Sequence, residues 1–347
     1  MSILIVGSWE APQYEAAFAI GLRKNGIEVF GFSTKEFFFG ALGKIQKRFA
    51  IPATAMRALN QEVIMKTNEH HPDLVLFWRP THILPTTIRL LTKMGVRTVS
   101  YNNDDPFGPM VHGNVPWHHH FLWFWYLRCL PFFDLNFFYR KINCGEALDQ
   151  GAKHAAVLLP YFMPWQDRPV KLSETDKQRF QADVVFVGHY EPDGRELSLR
   201  ALIEAGIKVK LWGGHYWSKS VLGDLYDYFA PIIPTEGDDY AKALCGAKIC
   251  LCFLSKLNRD TYTRRCFEIP ACGCLMLAER TDDLLNFFNE DEEACFFSSK
   301  EELVQKTQWL LDNPQERERI AAAGLRRVWK DGGDVFSRTR SFLQMIN

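Results

Sequence analysis

The strongest constraint on this chain is the way short apolar runs alternate with stretches of helical periodicity, with glycine between them. Residues 2–6 (SILIV) run apolar up to Gly7-Ser8, and Tyr14–Asn25 then carries apolar residues at helical spacing as far as Gly26. A short continuous apolar run suits a strand buried on both faces, and a glycine after a periodic stretch suits a helix end. Glu28–Phe32 reads as a second strand, Pro52–Glu69 as helical, and Pro72-Asp73 as the lead into the strand Leu74–Trp78. Pro85–Met94 is a further helix closed by Gly95, and the strand Arg97–Tyr101 stops at Asn102-Asn103-Asp104-Asp105-Pro106. Such alternation predicts a parallel sheet covered by helices, because parallel neighbours need a long crossover that lays a helix on the sheet.

A second set of the same units begins after Tyr161-Phe162-Met163-Pro164-Trp165, a proline-containing stretch suited to a hinge. Ala182–Val187 is a strand ended by Gly188; the loop HYEPDG leads to a helix near Arg195, and Gly206 closes it before the strand Lys208–Trp212 and Gly213-Gly214. Asp238–Cys245 reads as helix, Ala247–Phe253 as extended, Phe267–Cys272 as the start of a helix, Cys274–Ala278 as a buried strand and Lys300–Leu311 as helix. With 347 residues, two α/β domains are expected. They are placed at 1–162 and 163–332, with residues 333–347 forming a last helix, Phe336–Ile346, that returns to the first domain.

Composition narrows the function. Lys+Arg and Asp+Glu both total 41, so a net charge of +0 offers no broad attraction to nucleic acid, and any polyanion must be held locally. Nine cysteines without a CxxC pair, and an opening MSILIVG without a basic leader, point to a reducing cytoplasm. Cys250/Cys252 and Cys272/Cys274 sit in apolar runs and read as buried filler rather than metal ligands. The aromatic block Phe121–Tyr139 is broken by Arg128, Pro131 and Asp134, so it is no spanning helix.

The most informative segment is Asn258–Gly273, NRDTYTRRCFEIPACG. A ribose presents two adjacent hydroxyl donors and an ionised carboxylate two acceptor oxygens, so Glu268 could bind both; its plainer role is a first-turn glutamate favoured by the helix dipole. A leaving diphosphate gains charge, which Arg264, Arg265 or Arg195 could meet, while the Gly188–Gly194 loop, with His189 and Tyr190, would let backbone approach phosphate. The alternative for each arginine is a solvated surface residue. Trp212, Tyr216 and Trp217 either stack on a ligand or belong to the core. Asp104 and Asp105, at a strand tip, either orient and deprotonate an acceptor hydroxyl or satisfy a turn.

Together these residues resemble the donor-site signature of GT-B fold glycosyltransferases, most closely the CgeB-like, spore-maturation group. The likeness continues through Leu275–Glu279, Lys300–Leu311 and Pro314–Gly324, and more weakly through Asp104-Asp105-Pro106 and Gly188-His189. The resemblance implies two Rossmann-like domains facing a cleft and a donor held by the C-terminal half. It also implies contact of an acidic residue eight positions before Glu268 with the transferred sugar. That residue is Asp260, where the family more often has Glu. Asn258 and the Tyr228–Pro234 stretch, with Ile233, fall at further donor positions.

The expected activity is transfer of a sugar from a nucleotide-diphosphate donor to a glycan, lipid-linked or protein acceptor, with retention and with neither metal nor cofactor. A nucleotide-sugar epimerase of the same fold and a non-catalytic nucleotide-sugar binder are the alternatives. A nicotinamide enzyme is not expected, since Gly7-Ser8-Trp9-Glu10 lacks the G-x-G-x-x-G run. His118-His119-His120 diverge on any regular backbone and do not suit one metal. The aromatic block after them is expected in the N-terminal core or a dimer contact, with peripheral contact at the inner membrane face as the alternative.

Overall fold

The computed structural model describes residues 1–109, 117–214 and 216–347. The chain forms two compact units: residues 1–159, 257–259 and 335–347, and residues 160–256 and 260–334.

In the first unit six parallel strands are ordered β2-β1-β3-β4-β5-β6. They are β1 (Ser2–Gly7), β2 (Glu28–Ser33), β3 (Leu74–Trp78), β4 (Arg97–Asn102), β5 (Leu135–Phe138) and β6 (Ala155–Val157). The interior strands β1 and β3 are continuous apolar runs because helices cover both faces, whereas the edge strand β2 alternates buried and exposed. Gly26 ends the helix Ala17–Lys24 at φ +80°, and the Ile27 N–H reaches back to the Leu22 carbonyl at 3.1 Å. Only a residue without Cβ adopts that turn cheaply, and it feeds the chain directly into β2.

The aromatic block divides. Trp123, Tyr126, Phe133, Phe137 and Phe138 are buried and β5 is an interior strand of the sheet, while Phe121 and Phe124 stay exposed. The last helix, Val335–Ile346, packs on the helix Ala17–Lys24: Phe342 meets Phe18 and Phe137 with ring centroids 5.3 and 5.2 Å apart.

The second unit holds five parallel strands ordered β11-β10-β9-β7-β8: β7 (Ala182–Val187), β8 (Val209–Trp212), β9 (Ala247–Cys252), β10 (Met276–Glu279) and β11 (Cys295–Phe297). The helix expected to begin near Phe267 instead spans Arg265–Ala271. Pro270, with no N–H to donate, and Gly273, at φ +70°, stop it soon after its first turns. None of the nine cysteines forms a disulfide. No described helix is long and apolar enough to cross a membrane.

Candidate active site

In the second sheet the chain leaves β7 toward β8 on one side and reaches β9 on the other, so the carboxyl ends of β7 and β9 flank a topological switch point, where open α/β sheets bind ligands. Gly188, the first residue past β7, lies there. Its N–H donates to the Trp212 carbonyl at 2.9 Å, and its own carbonyl accepts from the Trp217 indole at 2.8 Å. A Cβ on Gly188 would meet the Phe186 ring at 2.8 Å and the Arg265 guanidinium carbon at 3.5 Å. Bare backbone and a cation therefore share one edge.

The loop after Gly188 is rigid by charge. Arg195, at the start of the helix Arg195–Glu204, is buried and grips Asp193 through Nε at 2.8 Å and Nη2 at 2.5 Å, while Nη1 donates to the His189 carbonyl at 2.7 Å. The Arg195 guanidinium, expected to meet diphosphate, lies against its own loop and shapes it. Burial alone would raise the Glu191 pKa. The His189 ring at 2.9 Å, the Ser255 hydroxyl at 2.6 Å and the Arg195 charge overcome it and hold the carboxyl down to about 2. The His189 ring thus faces Glu191, and the Tyr190 ring lies 5.2 Å from Trp217. Trp212 and Trp217 are core residues, whereas Tyr216 is exposed. In the Tyr228–Pro234 stretch the Ile233 carbonyl accepts from Gly213 N–H at 3.0 Å, which leaves the Ile233 side chain outward.

Arg264 and Arg265 differ sharply. Arg264 Nε donates to Glu268 Oε1 one helical turn on, and its Nη2 stands 3.7 Å from Asp167. Glu268, nearly buried, accepts from the Tyr240 hydroxyl on its other oxygen at 2.7 Å. Each of its oxygens keeps a second acceptor position. Desolvation, followed by repulsion from Glu268, pushes the Asp167 pKa up to about 7 against the pull of Arg264. Arg265 points the other way, its guanidinium carbon 5.8 Å from the centre of the Phe186 ring. Its Nε is buried without a partner, and among the described residues it forms neither hydrogen bond nor ion pair. Burial opposes its charge, yet Cys252, Tyr240 and Glu268 nearby hold its pKa above the ordinary arginine value. A buried, charged, uncommitted donor beside bare backbone is what an anion requires.

Asp260, half-buried, donates its N–H to the Ser255 carbonyl at 2.9 Å. The other predicted residues belong to the first unit. Asp104, past the end of β4, is paired with the Arg79 guanidinium. Asp105, expected to act on an acceptor hydroxyl, lies among several donors. Its buried carboxylate accepts from Phe107 and Gly108 N–H, both at 3.0 Å, from Asn143 at 2.9 Å, and from Arg259 through Nη2 at 2.9 Å and Nε at 2.5 Å. A carboxylate so committed is a poor general base, which must reach a substrate proton. Arg259 also binds both Glu146 oxygens at 2.8 Å, and the Asn258 side chain accepts from Asp105 N–H at 3.2 Å. Asp105 therefore anchors residues 257–259, the opening of the informative segment, to the first unit.

Asp167, Tyr240, Glu191, Arg259 and Glu146 carried no local sequence signal as site residues. They gain meaning only from partners far along the chain.

The same architecture is found in other proteins. Residues 195–333 match the model of the glycosyl transferase-like family. No curated protein matches the sequence. Among solved structures, sucrose-phosphate synthase from Thermosynechococcus elongatus is 12% identical with a TM-score of 0.70, over 100% of this chain and 98% of that one. HepE of Anabaena, solved with UDP and glucose, is 12% identical with a TM-score of 0.65, over 100% and 99% of the two chains. MnaA of S. aureus, solved with UDP, is 13% identical with a TM-score of 0.55, over 98% and 94% of the two chains. Two parallel α/β sheets of six and five strands, shared along whole chains with these proteins, give this protein the GT-B fold.

Proposed function

We propose that this protein is a glycosyltransferase that takes its sugar from a nucleoside-diphosphate donor held by the second unit. Arg265 carries the proposal: a guanidinium with a buried Nε and no hydrogen-bond or ion-pair partner among the described residues, beside the Gly188 backbone at the switch point of the sheet. In the reaction the bond from the sugar's anomeric carbon to the diphosphate breaks and its electron pair stays on the phosphate oxygen. The acceptor hydroxyl oxygen bonds to the anomeric carbon, and its proton passes to the leaving phosphate. Arg265 meets the charge that develops, an interaction worth more in a dry site than in water.

Glu268, held by Arg264 and Tyr240, offers its remaining acceptor positions to the ribose hydroxyls. Asp260 orients the transferred sugar. Because the phosphate accepts the proton, a strong protein base is unnecessary, which accords with Asp105 being saturated and Asp104 paired. The course we propose is retention, without metal, onto a glycan, lipid-linked or protein acceptor. A uridine donor is the first to try, since HepE was solved with UDP.

The test is calorimetric titration with the diphosphates of uridine, guanosine, thymidine and cytidine. We expect one to bind, and Arg265→Ala and Glu268→Ala each to weaken it while the fold persists. Unchanged affinity in both variants would falsify the site. The epimerase alternative is separated by incubating a bound nucleotide sugar without acceptor, since an epimerase alone isomerises it.

A further inference from the structure

The first unit carries a surface that donor binding does not use. The helix Gly40–Phe49 buries only Gly43 and turns Leu42, Ile45 and Phe49, spaced three and four apart, toward solvent, with Phe39 just ahead of it. Leu42 at 75% and Phe39 at 72% are the most exposed large apolar side chains among the described residues. The helix is joined to the exposed front of the aromatic block: the Phe49 ring lies 5.3 Å from Trp117 and 5.8 Å from Phe121. Trp117 and Phe121 are exposed as well.

Charge tells what such a face meets. Lys44, Lys47 and Arg48 stand on the same helix, with Arg48 4.7 Å from the centre of the Trp117 ring. No Asp or Glu occurs between Glu36 and Glu62, nor between Asp105 and Asp134, in a chain whose acids and bases balance. A second copy docking by this face in a twofold dimer would set the patch against itself and bring like charges together. An anionic bilayer complements both features, taking the apolar side chains at the boundary between headgroups and acyl chains and the cations at the phosphates.

We infer that the Gly40–Phe49 helix, with Trp117 and Phe121, docks the protein on the surface of an anionic membrane. The helix is held at its far end by His82, whose Nε2 bonds the Lys47 carbonyl at 2.9 Å, so the face is presented on a fixed element. This surface lies outside the donor site and does not depend on the transferase proposal.

The experiment is cosedimentation of the full chain with vesicles of phosphatidylcholine, with and without phosphatidylserine, read alongside tryptophan emission. Binding should require phosphatidylserine, weaken as salt rises, and shift the emission to the blue. Leu42→Glu should lower partitioning about tenfold or more, since burying a leucine side chain favours transfer by that much. Lys44→Glu with Lys47→Glu should lower it at least as far, each charge being worth about fivefold. Both variants alter exposed side chains, and both should keep the wild-type thermal shift with uridine diphosphate, so failure of the donor proposal would be seen separately. Equal binding to both vesicle types, no loss in either variant, or a concentration-dependent dimer dissolved by Leu42→Glu would overturn the inference.

Discussion

At the scale of single residues, the informative contrast is between two adjacent arginines. Arg264 is paired with Glu268 and stands near Asp167, while Arg265, its Nε buried, has neither hydrogen-bond nor ion-pair partner among the described residues. Arg265→Met removes that charge and its donors, so it should weaken nucleoside-diphosphate binding while the protein still folds. Loss of its charged hydrogen bonds should weaken affinity by about tenfold to a hundredfold, measured by titration calorimetry. Asp167 makes a prediction in pH. Its carboxyl keeps a proton in the fold up to about 7, whereas the unfolded chain releases it near 3.8. The folded state is thus favoured at low pH, and this contribution fades as pH rises between those values. Melting curves across that range should decline more steeply in the wild type than in Asp167→Asn; parallel curves would rule the assignment out.

At the scale of elements, the segments around the site are held by ion pairs rather than by propensity. Arg259 adopts φ +50° and bridges Asp105 and Glu146, and removing it would strand a fully buried carboxylate. Arg259→Ala should cost about 3 kcal/mol in urea unfolding, and Arg259→Lys, which lacks the fork that binds two carboxylates at once, should recover only part of it. At the other extreme, the end of the helix Arg195–Glu204 rests on Gly206 at φ +79° and on the bond from Ile207 N–H to the Leu202 carbonyl. Gly206→Ala should cost about 1 kcal/mol by the same measurement and leave donor affinity unchanged, because the strain is local to the turn.

At the scale of the whole molecule, nucleotide binding should stabilise the second unit. At a hundredfold excess over the dissociation constant the gain is about 2.7 kcal/mol, visible as a thermal shift and as slowed amide exchange in residues 188–195 and 264–268. Protection elsewhere in that unit but absent there would place the ligand at another site. Strand and helix periods, glycine stops and the absence of charge bias are properties of neighbouring residues, so sequence alone revealed the two α/β sheets and the region richest in candidate site residues. It left β5 hidden in an aromatic block, because a short apolar run reads the same whether strand or helix. Which charged groups are free was decided only by the tertiary structure. Asp105 meets Arg259 across 154 positions, Glu268 meets Tyr240 across 28, and Arg195 turns back on its own loop. Pairing depends on distance in space and on desolvation, and neither is written in the local pattern of a chain.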